Sequence, residues 1–385
     1  MSVLGIVAEY DPFHNGHLRH LRMAAEEVSP SAILVALSGP FKQRGEMSLL
    51  SPFARARCAL ASDIDAVVML PVLWTVRDAE HYALGAVSLL ASLGATHLAF
   101  GAETDDLSLL RQTADLLEDS PETLTNALHR GLSGGTGYPA ALAAAAGACI
   151  HESQSLLSHA NNILAVCYLR AIRRLNLPIT PVLISRAGGY HEANPNPSGP
   201  SASAVRDSLL RGNWRPALEC LPEFSVNEVL SAFRSGHVPS SSLTDSLLLS
   251  RLRSASLEQT SCLPDCSEGL EAALYKAAKQ SSTREELVAM LTGRRYPAAR
   301  ISRLCACALL GISQEQTNHA PLPESVLLLG IKKSPSLTGF WKSSPVKVLS
   351  ASKWQETASP ADLAAWRLWS ITCGLPASYP FTQKL

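Results

Sequence analysis

The feature that most constrains the fold is a regular alternation of short apolar runs with helical patterns over the first 185 residues. Continuous apolar runs rich in β-branched residues are typical of strands buried on both faces of a parallel sheet. The alternation therefore predicts an α/β fold of the Rossmann-like kind, with helices covering both faces of the sheet. The five runs are "VLGIVA" (3–8), "AILVALS" (32–38), "AVVMLP" (66–71), "HLAFG" (97–101) and "ITPVLIS" (179–185). The helical patterns between them cover 18–28, 52–62, 79–92, 106–118, 121–130 and 160–175.

The strand signals fade after about residue 215. The stretch "HEANPNPSGPSASAVR" (191–206) is rich in Pro, Ser and Asn, which predicts a loop that ends in a helix start. We therefore predict two domains, with residues 1–215 forming the α/β domain and residues 216–385 a mainly helical one. No pattern is assigned to residues 313–361. The later helical patterns cover 226–235, 244–256, 268–278, 284–292 and 299–310.

Composition excludes several classes of protein. Of the 385 residues, 46% are hydrophobic and 17% are charged, which argues against global disorder. The 33 basic and 33 acidic residues balance, so net charge does not indicate a nucleic-acid partner, although a local basic patch remains compatible. The chain has nine cysteines, no signal-peptide pattern and no apolar run of about 18 residues, so we expect a cytoplasmic protein with reduced thiols and no membrane segment.

Two histidines directly follow the first predicted strand, in "AEYDPFHNGHLRHL" (8–21). A helix that starts after a strand presents free N–H groups and the positive end of its dipole, which together attract anions. Gly16 allows the backbone to approach a ligand closely. His14 and His17 are then placed to donate hydrogen bonds to phosphate oxygens and to stabilise charge as phosphoryl transfer proceeds. The alternative is a pair of surface histidines near a helix start.

A second anion site is predicted in "SASAVR" (201–206). Ser201 and Ser203 lie at a helix start and Arg206 lies one turn inside it. Capping hydroxyls, free amides and a guanidinium together suit a phosphate group. The alternative is an ordinary serine cap with a surface arginine.

Two basic clusters are candidates for contact with phosphates or RNA. Lys42, Gln43 and Arg44 occur in "FKQRGE", which is also compatible with a solvated basic loop. The second cluster comprises Arg294, Arg295, Arg300 and Arg303, with Tyr296 available for stacking. Its helix also has an apolar stripe, so the alternative is a solvated amphipathic helix.

No metal site is predicted. The four cysteines at 262, 266, 305 and 307 lack the usual spacing of a zinc site, and we expect core thiols. "HE" at 151–152 lacks the second histidine of a zinc-protease motif, and "GGTGYP" (134–139) lacks the lysine of a phosphate-binding loop.

Taken in order, several motifs resemble a known family. H-x-G-H after the first strand, with a late S-x-S-x-x-R, looks like the HIGH-type nucleotidyltransferase superfamily. The wider set resembles the bacterial tRNA(Met) cytidine acetate ligase family from residue 3 to about 312, whereas the last ~70 residues match poorly. The motifs are "GIVAEYDPFHNGHLRHL", "SGPFKQRGE" (38–46), "DAVVMLP" (65–71), "AEHYALGAVSLLASLG" (79–94), "FGAE" (100–103), "NNILAVCYL" (161–169), "SRAGGYH" (185–191), "SEGLE" (267–271) and "GRRYPAARISRLCACALLGI" (293–312).

The resemblance implies a reaction in two steps. Acetate and ATP, with Mg²⁺ expected, would give acetyl-adenylate and pyrophosphate. The acetyl group would then pass to the wobble cytidine of elongator tRNA(Met), giving N4-acetylcytidine. His14, His17 and Arg206 would be catalytic, and Ser203 would join the ATP site. The resemblance implies ATP contacts at Val7, Ala8, Glu9, Tyr10, Asp11, Pro12, Phe13, His14, Asn15, Gly16, His17, Leu18, Arg19, His20, Gly101, Asn161 (or else Asn162) and Arg186.

The sequence departs from the family pattern at three positions. The family usually has asparagine where this chain has Asp11, an asparagine where it has Pro40, and an apolar residue where it has Lys42. Asp11 adds negative charge near the predicted phosphate site, which we expect to weaken ATP binding unless Mg²⁺ or an arginine compensates.

Two other functions remain open. One is a different adenylyltransferase on the same scaffold, against which the long basic C-terminal extension argues. The other is a non-catalytic RNA-binding protein. Neither the oligomeric state nor the acetate pocket is predicted.

Overall fold

The protein is built on one mixed β-sheet. The computed structural model describes residues 2–185, 195–197, 199–267, 269–332 and 334–382. Within these residues the strands are β1 (Val3–Ala8), β2 (Ala32–Ser38), β3 (Ala66–Leu70), β4 (His97–Ala102), β5 (Thr180–Ser185), β6 (Ser325–Ile331) and β7 (Lys347–Leu349). The first five begin and end within one residue of the predicted runs, because each run is bounded by polar or turn-forming residues.

Helices connect and cover these strands. Before β5 they are α1 (Asn15–Val28), α2 (Pro52–Ala61), α3 (Val72–Thr75), α4 (Ala79–Ser92), α5 (Leu107–Asp119), α6 (Glu122–Ser133), α7 (Tyr138–Cys149), α8 (Ser153–Leu156) and α9 (Ala160–Arg174). After β5 they are α10 (Ala202–Leu210), α11 (Trp214–Glu219), α12 (Glu223–Arg234), α13 (Ser241–Ser254), α14 (Leu257–Ser261), α15 (Leu270–Gln280), α16 (Arg284–Leu291), α17 (Ala298–Leu310), α18 (Gln314–Asn318), α19 (Pro335–Trp341), α20 (Ala351–Thr357) and α21 (Pro360–Thr372), followed by a short 3₁₀ helix (Tyr379–Thr382).

The order of the strands places a binding cleft. The sheet runs β5-β4-β1-β2-β3-β6-β7, and β1 to β5 are parallel. The chain leaves β1 toward β2 on one side and later returns to β4 on the other. Ligands of open parallel sheets bind at the carboxyl ends of the strands where the order reverses in this way. The predicted α/β, Rossmann-like fold is confirmed.

Both faces of the sheet are buried. Side chains of a strand alternate between the two faces, and here each set enters a different apolar core. Val3 and Leu34 pack with α4 and α9 on one face, whereas Leu4 and Val35 pack with α1 and α2 on the other. Burial on both sides explains why the strands read as continuous apolar runs.

The last part of the chain extends this sheet. β6 pairs antiparallel with β3, with Ala66 opposite Ile331, and β7 pairs parallel with β6. Neither strand was predicted, because residues 313–361 show no clear pattern. Residues 216–385 are mainly helical, as expected, but they also complete the α/β core. The division of the chain at residue 215 stays a prediction.

This shared core gives a direct prediction. Trp366 on α21 is fully buried and packs on Phe53 of α2, with 5.6 Å between the ring centroids. Replacing Trp366 by alanine should lower the free energy of unfolding by about 3–5 kcal/mol, because it leaves a large cavity. Ile371 on the same helix is 50% exposed and is the matched control, with an expected change of about 0.5 kcal/mol or less. Equal effects of the two alanine variants in urea unfolding would contradict a core shared between α21 and the sheet.

Candidate active site at the carboxyl edge of the sheet

A cleft of about 570 Å³ lies at the carboxyl ends of β1, β4 and β5. Ala8, Gly101 and Ser185, near the ends of these three strands, contribute to its wall. The starts of α1, α9 and α10 also line it. Because helix starts present free N–H groups, the cleft is suited to an anionic ligand.

His14 and His17 form a reciprocal cap at the start of α1. The backbone N–H of His17 donates to Nδ1 of His14 over 3.3 Å, and the backbone N–H of His14 donates to Nδ1 of His17 over 3.2 Å. A ring nitrogen that accepts a hydrogen bond carries no proton, so in each neutral ring the proton is assigned to Nε2. The local sequence thus fixes two imidazoles with Nε2 as the donor.

Packing holds the two rings in place. They stack with centroids 3.6 Å apart and planes 14° apart, and Tyr10 meets the His17 ring edge-on. A Cβ atom on Gly16 would lie 3.0 Å from Cε1 of His14 and 3.6 Å from Cγ of Pro200. Gly16 therefore leaves room for the His14 ring and for the segment before α10. The expectation that Gly16 lets the backbone approach a ligand stays a prediction.

Arg206 ties α10 to the turn after β1. Ser201 caps α10 by accepting a hydrogen bond from the N–H of Ala204, and its hydroxyl lies 3.4 Å from that of Ser203. The guanidinium of Arg206 donates to the backbone carbonyl of Asp11 over 2.7 Å, across 195 residues of sequence. The structure thus brings His14, His17, Ser203 and Arg206 into one cleft.

Asp11 is surrounded by compensating groups. Its carboxylate is fully buried and accepts hydrogen bonds from the N–H groups of Leu49 and Leu50, at 2.9 and 3.0 Å. Lys42 Nζ lies 3.7 Å from it and Arg206 Nε lies 4.0 Å away. Two of the three departures from the family pattern, Asp11 and Lys42, are therefore ion-pair partners. The cation that the sequence analysis required beside Asp11 is present.

Glu46 completes this charge network. It lies 2.7 Å from Lys42 Nζ and 3.6 Å from a terminal nitrogen of Arg206. Burial alone would raise the pKa of the Glu46 carboxyl, but Lys42 and Arg206 outweigh it and lower the pKa to about 2. Asp11, Lys42, Glu46 and Arg206 thus form a connected network of ion pairs in the cleft wall.

Arg55 is an important residue that the sequence analysis missed. It lies fully buried within α2 and donates to the carbonyls of Glu9, Gly39 and Leu50. These contacts join the ends of β1 and β2 to the loop before α2, which carries Lys42. Burial lowers the pKa of Arg55, and the nearby Asp11 and Glu9 raise it. An arginine within the apolar helix pattern "PFARARCALA" was the available signal.

The two neighbouring asparagines have different environments. Asn162 is buried, and its side-chain oxygen accepts hydrogen bonds from the N–H groups of Glu103 and Thr104. Asn161 lines the cleft, and its side chain donates to Glu103 over 2.7 Å. Glu103 also accepts hydrogen bonds from the backbone N–H groups of both asparagines at the start of α9. This arrangement favours Asn161 over Asn162 as a ligand contact.

Other residues of the predicted ATP segment divide into two groups. Pro12, Phe13, Asn15 and Leu18 are not part of the described cleft wall. Phe13 is a core residue, and Asn15 donates to the carbonyls of Cys220 and Glu219. Arg186 lies outside the described residues. Apart from His14, His17 and Asn161, the predicted ATP contacts that line the cleft are Val7, Ala8, Glu9, Tyr10, Asp11, Gly16, Arg19, His20 and Gly101.

The predicted RNA-binding residues lie in different environments. Lys42, Arg44 and Arg303 line the cleft, whereas Arg294, Arg295 and Arg300 lie outside it. Lys42 is almost fully buried in ion pairs, so it does not present a charge to an open RNA surface. Arg300 donates to the carbonyl of Asp265 and lies over the ring of Tyr296.

The cysteines give no metal centre. Cys266, Cys305 and Cys307 are buried as expected, and burial raises the pKa of each thiol to about 12. The expectation of a core thiol is wrong for Cys262, which is exposed because it ends the short helix α14. Within the described ranges, no three His, Cys, Asp or Glu side chains cluster closely enough to hold a metal ion. None of the described helices has the length and apolar character needed to span a membrane.

Several known proteins are similar to this chain. A family model described as HIGH Nucleotidyl Transferase matches residues 1–372. A tRNA(Met) cytidine acetate ligase of Kosmotoga olearia is 33% identical over 346 residues, covering 87% of this chain and 81% of that protein. The Bacillus subtilis protein of the same name is 31% identical over 400 residues, covering 99% and 95%.

Two solved structures have the same fold. Apo TmcAL of Thermotoga maritima matches with a TM-score of 0.91 and 27% identity, over 97% of this chain and 95% of that one. The same protein bound with alpha-thio ATP matches with a TM-score of 0.89.

The fold and the cleft with its histidine-capped helix start define a HIGH-type nucleotidyltransferase. Within that class, the chain belongs to the family of enzymes named tRNA(Met) cytidine acetate ligase. The family resemblance read from the sequence is confirmed.

The Asp11–Lys42 ion pair gives a prediction about coupling. Lys42→Met should lower the free energy of unfolding by about 1–3 kcal/mol, because it removes a cation from a buried carboxylate. The double variant Asp11→Asn with Lys42→Met should lose less free energy of unfolding than the sum of the two single losses, by about 1 kcal/mol or more. The matched control is the Arg57–Glu228 pair, half-exposed on its arginine side, for which coupling under about 1 kcal/mol is expected. Additive effects of the two Asp11 and Lys42 changes in urea unfolding would show that the pair is not coupled.

Proposed function

We propose that this protein is an ATP-dependent ligase that acetylates the wobble cytidine of elongator tRNA(Met) in the cytoplasm. The main evidence for this proposal is that His14, His17 and Arg206 line one cleft near two helix starts. The relatives named tRNA(Met) cytidine acetate ligase support the choice of tRNA and acetate. A Thermotoga maritima relative bound with alpha-thio ATP supports ATP as the nucleotide.

In the first step an acetate oxygen attacks the α-phosphorus of ATP and pyrophosphate leaves. Acetate is already ionised, so this step needs no general base. The task of the protein is alignment and neutralisation of charge. The Nε2–H groups of His14 and His17, the amides at the starts of α1 and α10, and Arg206 are the donors that we assign to the phosphates. The products are acetyl-adenylate and pyrophosphate.

In the second step the exocyclic amine of cytidine attacks the acetyl carbonyl carbon. AMP leaves and a proton is released, giving N4-acetylcytidine. Arg44 at the cleft and the outer Arg294 and Arg295 remain our candidates for RNA contact. Contacts with the RNA backbone should make binding depend on salt.

Magnesium is expected as a companion of ATP. Among the residues that the structure describes, no three His, Cys, Asp or Glu side chains are grouped to hold a metal ion. The carboxylates of the described cleft wall are Glu9, Asp11 and Glu46. Each already has hydrogen-bond or ion-pair partners, with Glu9 accepting from the N–H of Gln43. We assign no step of the reaction to magnesium.

The decisive experiment uses ¹⁴C-acetate, ATP and total tRNA, followed by nucleoside analysis. We expect label in N4-acetylcytidine. His14→Ala should lower acetyl-adenylate formation by about 100-fold or more, because it removes a donor to the developing charge. It should leave tRNA binding unchanged.

His151 provides the matched control because it is exposed and is not part of the cleft wall. His151→Ala should form acetyl-adenylate and bind tRNA as the unaltered enzyme does. Label in another nucleoside, or in none, would overturn the proposal. Nucleotide transfer to a small phosphate ester would favour a different adenylyltransferase, and tRNA binding without turnover would favour a non-catalytic RNA-binding protein.

The neighbouring asparagines give a paired test of the ATP site. Asn161→Ala should weaken ATP binding by roughly tenfold, because this side chain lines the cleft. Asn162→Ala should instead lower the free energy of unfolding by about 1–3 kcal/mol, because it leaves two backbone N–H groups without their acceptor. Calorimetric titration with ATP and urea unfolding of both variants separate these roles. Weaker ATP binding by the Asn162 variant alone would reverse the assignment.

A further inference from the structure

Arg303 connects the C-terminal helical segment with the nucleotide cleft. It lies on α17, which the sequence analysis assigned to RNA contact. Of the four arginines predicted between residues 294 and 303, it alone is part of the described cleft wall, beside Ala299 of the same helix. The cleft wall therefore includes a cation from a segment almost a hundred residues beyond Arg206.

The backbone around Arg303 is fixed against the loop that carries Lys42 and Arg44. Gly45 has a φ of +79°, and a Cβ atom there would lie 2.5 Å from the carbonyl oxygen of Ser302 and 2.8 Å from the Cα of Arg303. The hydroxyl of Ser302 donates to the carbonyl of Arg44, and Arg284 donates to the same hydroxyl. Only glycine permits this approach, so α17 is positioned directly on the cleft loop.

The charge of Arg303 is poorly compensated. Among the residues that the structure describes, its guanidinium has no hydrogen-bond or ion-pair partner. Burial lowers the pKa of Arg303, and Asp78 opposes this effect most strongly. However, the Asp78 carboxylate already accepts from the N–H groups of Glu80 and His81 and lies 2.6 Å from Nδ1 of His81.

A partly buried guanidinium without a partner, facing a polar cleft, is suited to bind an oxyanion from the ligand side. Arg300, three residues earlier, differs because the carbonyl of Asp265 and the ring of Tyr296 already engage it. Lys42 and Arg206 differ as well, because both pair with Asp11 and Glu46. Arg303 is therefore a partly buried cation of the cleft wall that has no partner among the described residues, whereas Arg19 in the same wall is exposed to solvent.

We propose that Arg303 is a catalytic-site residue of the adenylation step and binds an oxyanion of the reactants, either a phosphate of ATP or the carboxylate of acetate. This inference rests on the proposed function. It replaces the expectation that Arg303 contacts the tRNA backbone. A guanidinium binds both oxyanions through the same paired hydrogen bonds, so separate measurements distinguish the two ligands.

The test compares Arg303→Ala with Arg111→Ala in the full-length protein. Arg111 is an exposed arginine on α5 outside the cleft wall, so its variant removes the same charge at a distance from the cleft. We measure the Kd for ATP, the KM for acetate in pyrophosphate release, and the Kd for tRNA. We expect roughly a tenfold rise in the Kd for ATP or in the KM for acetate, the size expected for one lost charge-assisted hydrogen bond. The Kd for tRNA should match that of the Arg111 variant.

Two results would overturn the inference. One is an Arg303→Ala enzyme whose ATP and acetate constants equal those of the Arg111 variant. The other is a loss of tRNA affinity alone, which would return Arg303 to the RNA surface. If thermal melting shows that Arg303→Ala is unfolded, Arg303→Lys serves instead and should show the same defect to a smaller degree. Failure of the unaltered enzyme to use acetate would refute the proposed function, whereas the ATP measurement would still test Arg303.

Discussion

The hydrogen bond from Arg206 to the carbonyl of Asp11 is the contact on which the site depends. It joins the helix start of α10 to the turn between β1 and α1, two segments that are 195 residues apart in sequence. Without it, each helix start is only a weak anion site. With it, two sets of backbone amides, two imidazoles and a guanidinium line one cleft.

The surrounding charges explain how a buried carboxylate is tolerated beside the proposed phosphate site. Burying Asp11 without partners would be costly, but two backbone N–H groups and two cations surround it. Arg55 stabilises the same region by donating hydrogen bonds to the carbonyls of Glu9 and Gly39, at the ends of β1 and β2. The negative charge of Asp11 is thus used within the wall to orient Lys42 and Arg206, and it does not act unopposed on a ligand.

Local patterns in the sequence predicted the α/β fold well. The five parallel strands are continuous apolar runs, and their burial on both faces is what makes such runs recognisable. The histidine and serine motifs were also recognisable, because helix caps depend on residues only three positions apart. β6 and β7 were not predicted, since β6 joins the sheet by pairing with β3 more than 250 residues away and β7 in turn pairs with β6. The partners of Asp11 and the carbonyls bound by Arg55 likewise lie far along the chain or on its backbone, where no sequence pattern records them. The different surroundings of Arg300 and Arg303 follow from how α17 packs, which helical spacing alone does not give.

The most direct test of the central claim is a crystal structure of this protein with alpha-thio ATP. The measured quantity is the distance from the guanidinium of Arg206, and from Nε2 of His14 and His17, to the nearest phosphate oxygen. We predict a triphosphate between the starts of α1 and α10, with hydrogen-bond distances of about 2.7–3.2 Å to these donors. A nucleotide bound elsewhere, or phosphates that contact none of the three side chains, would contradict the account.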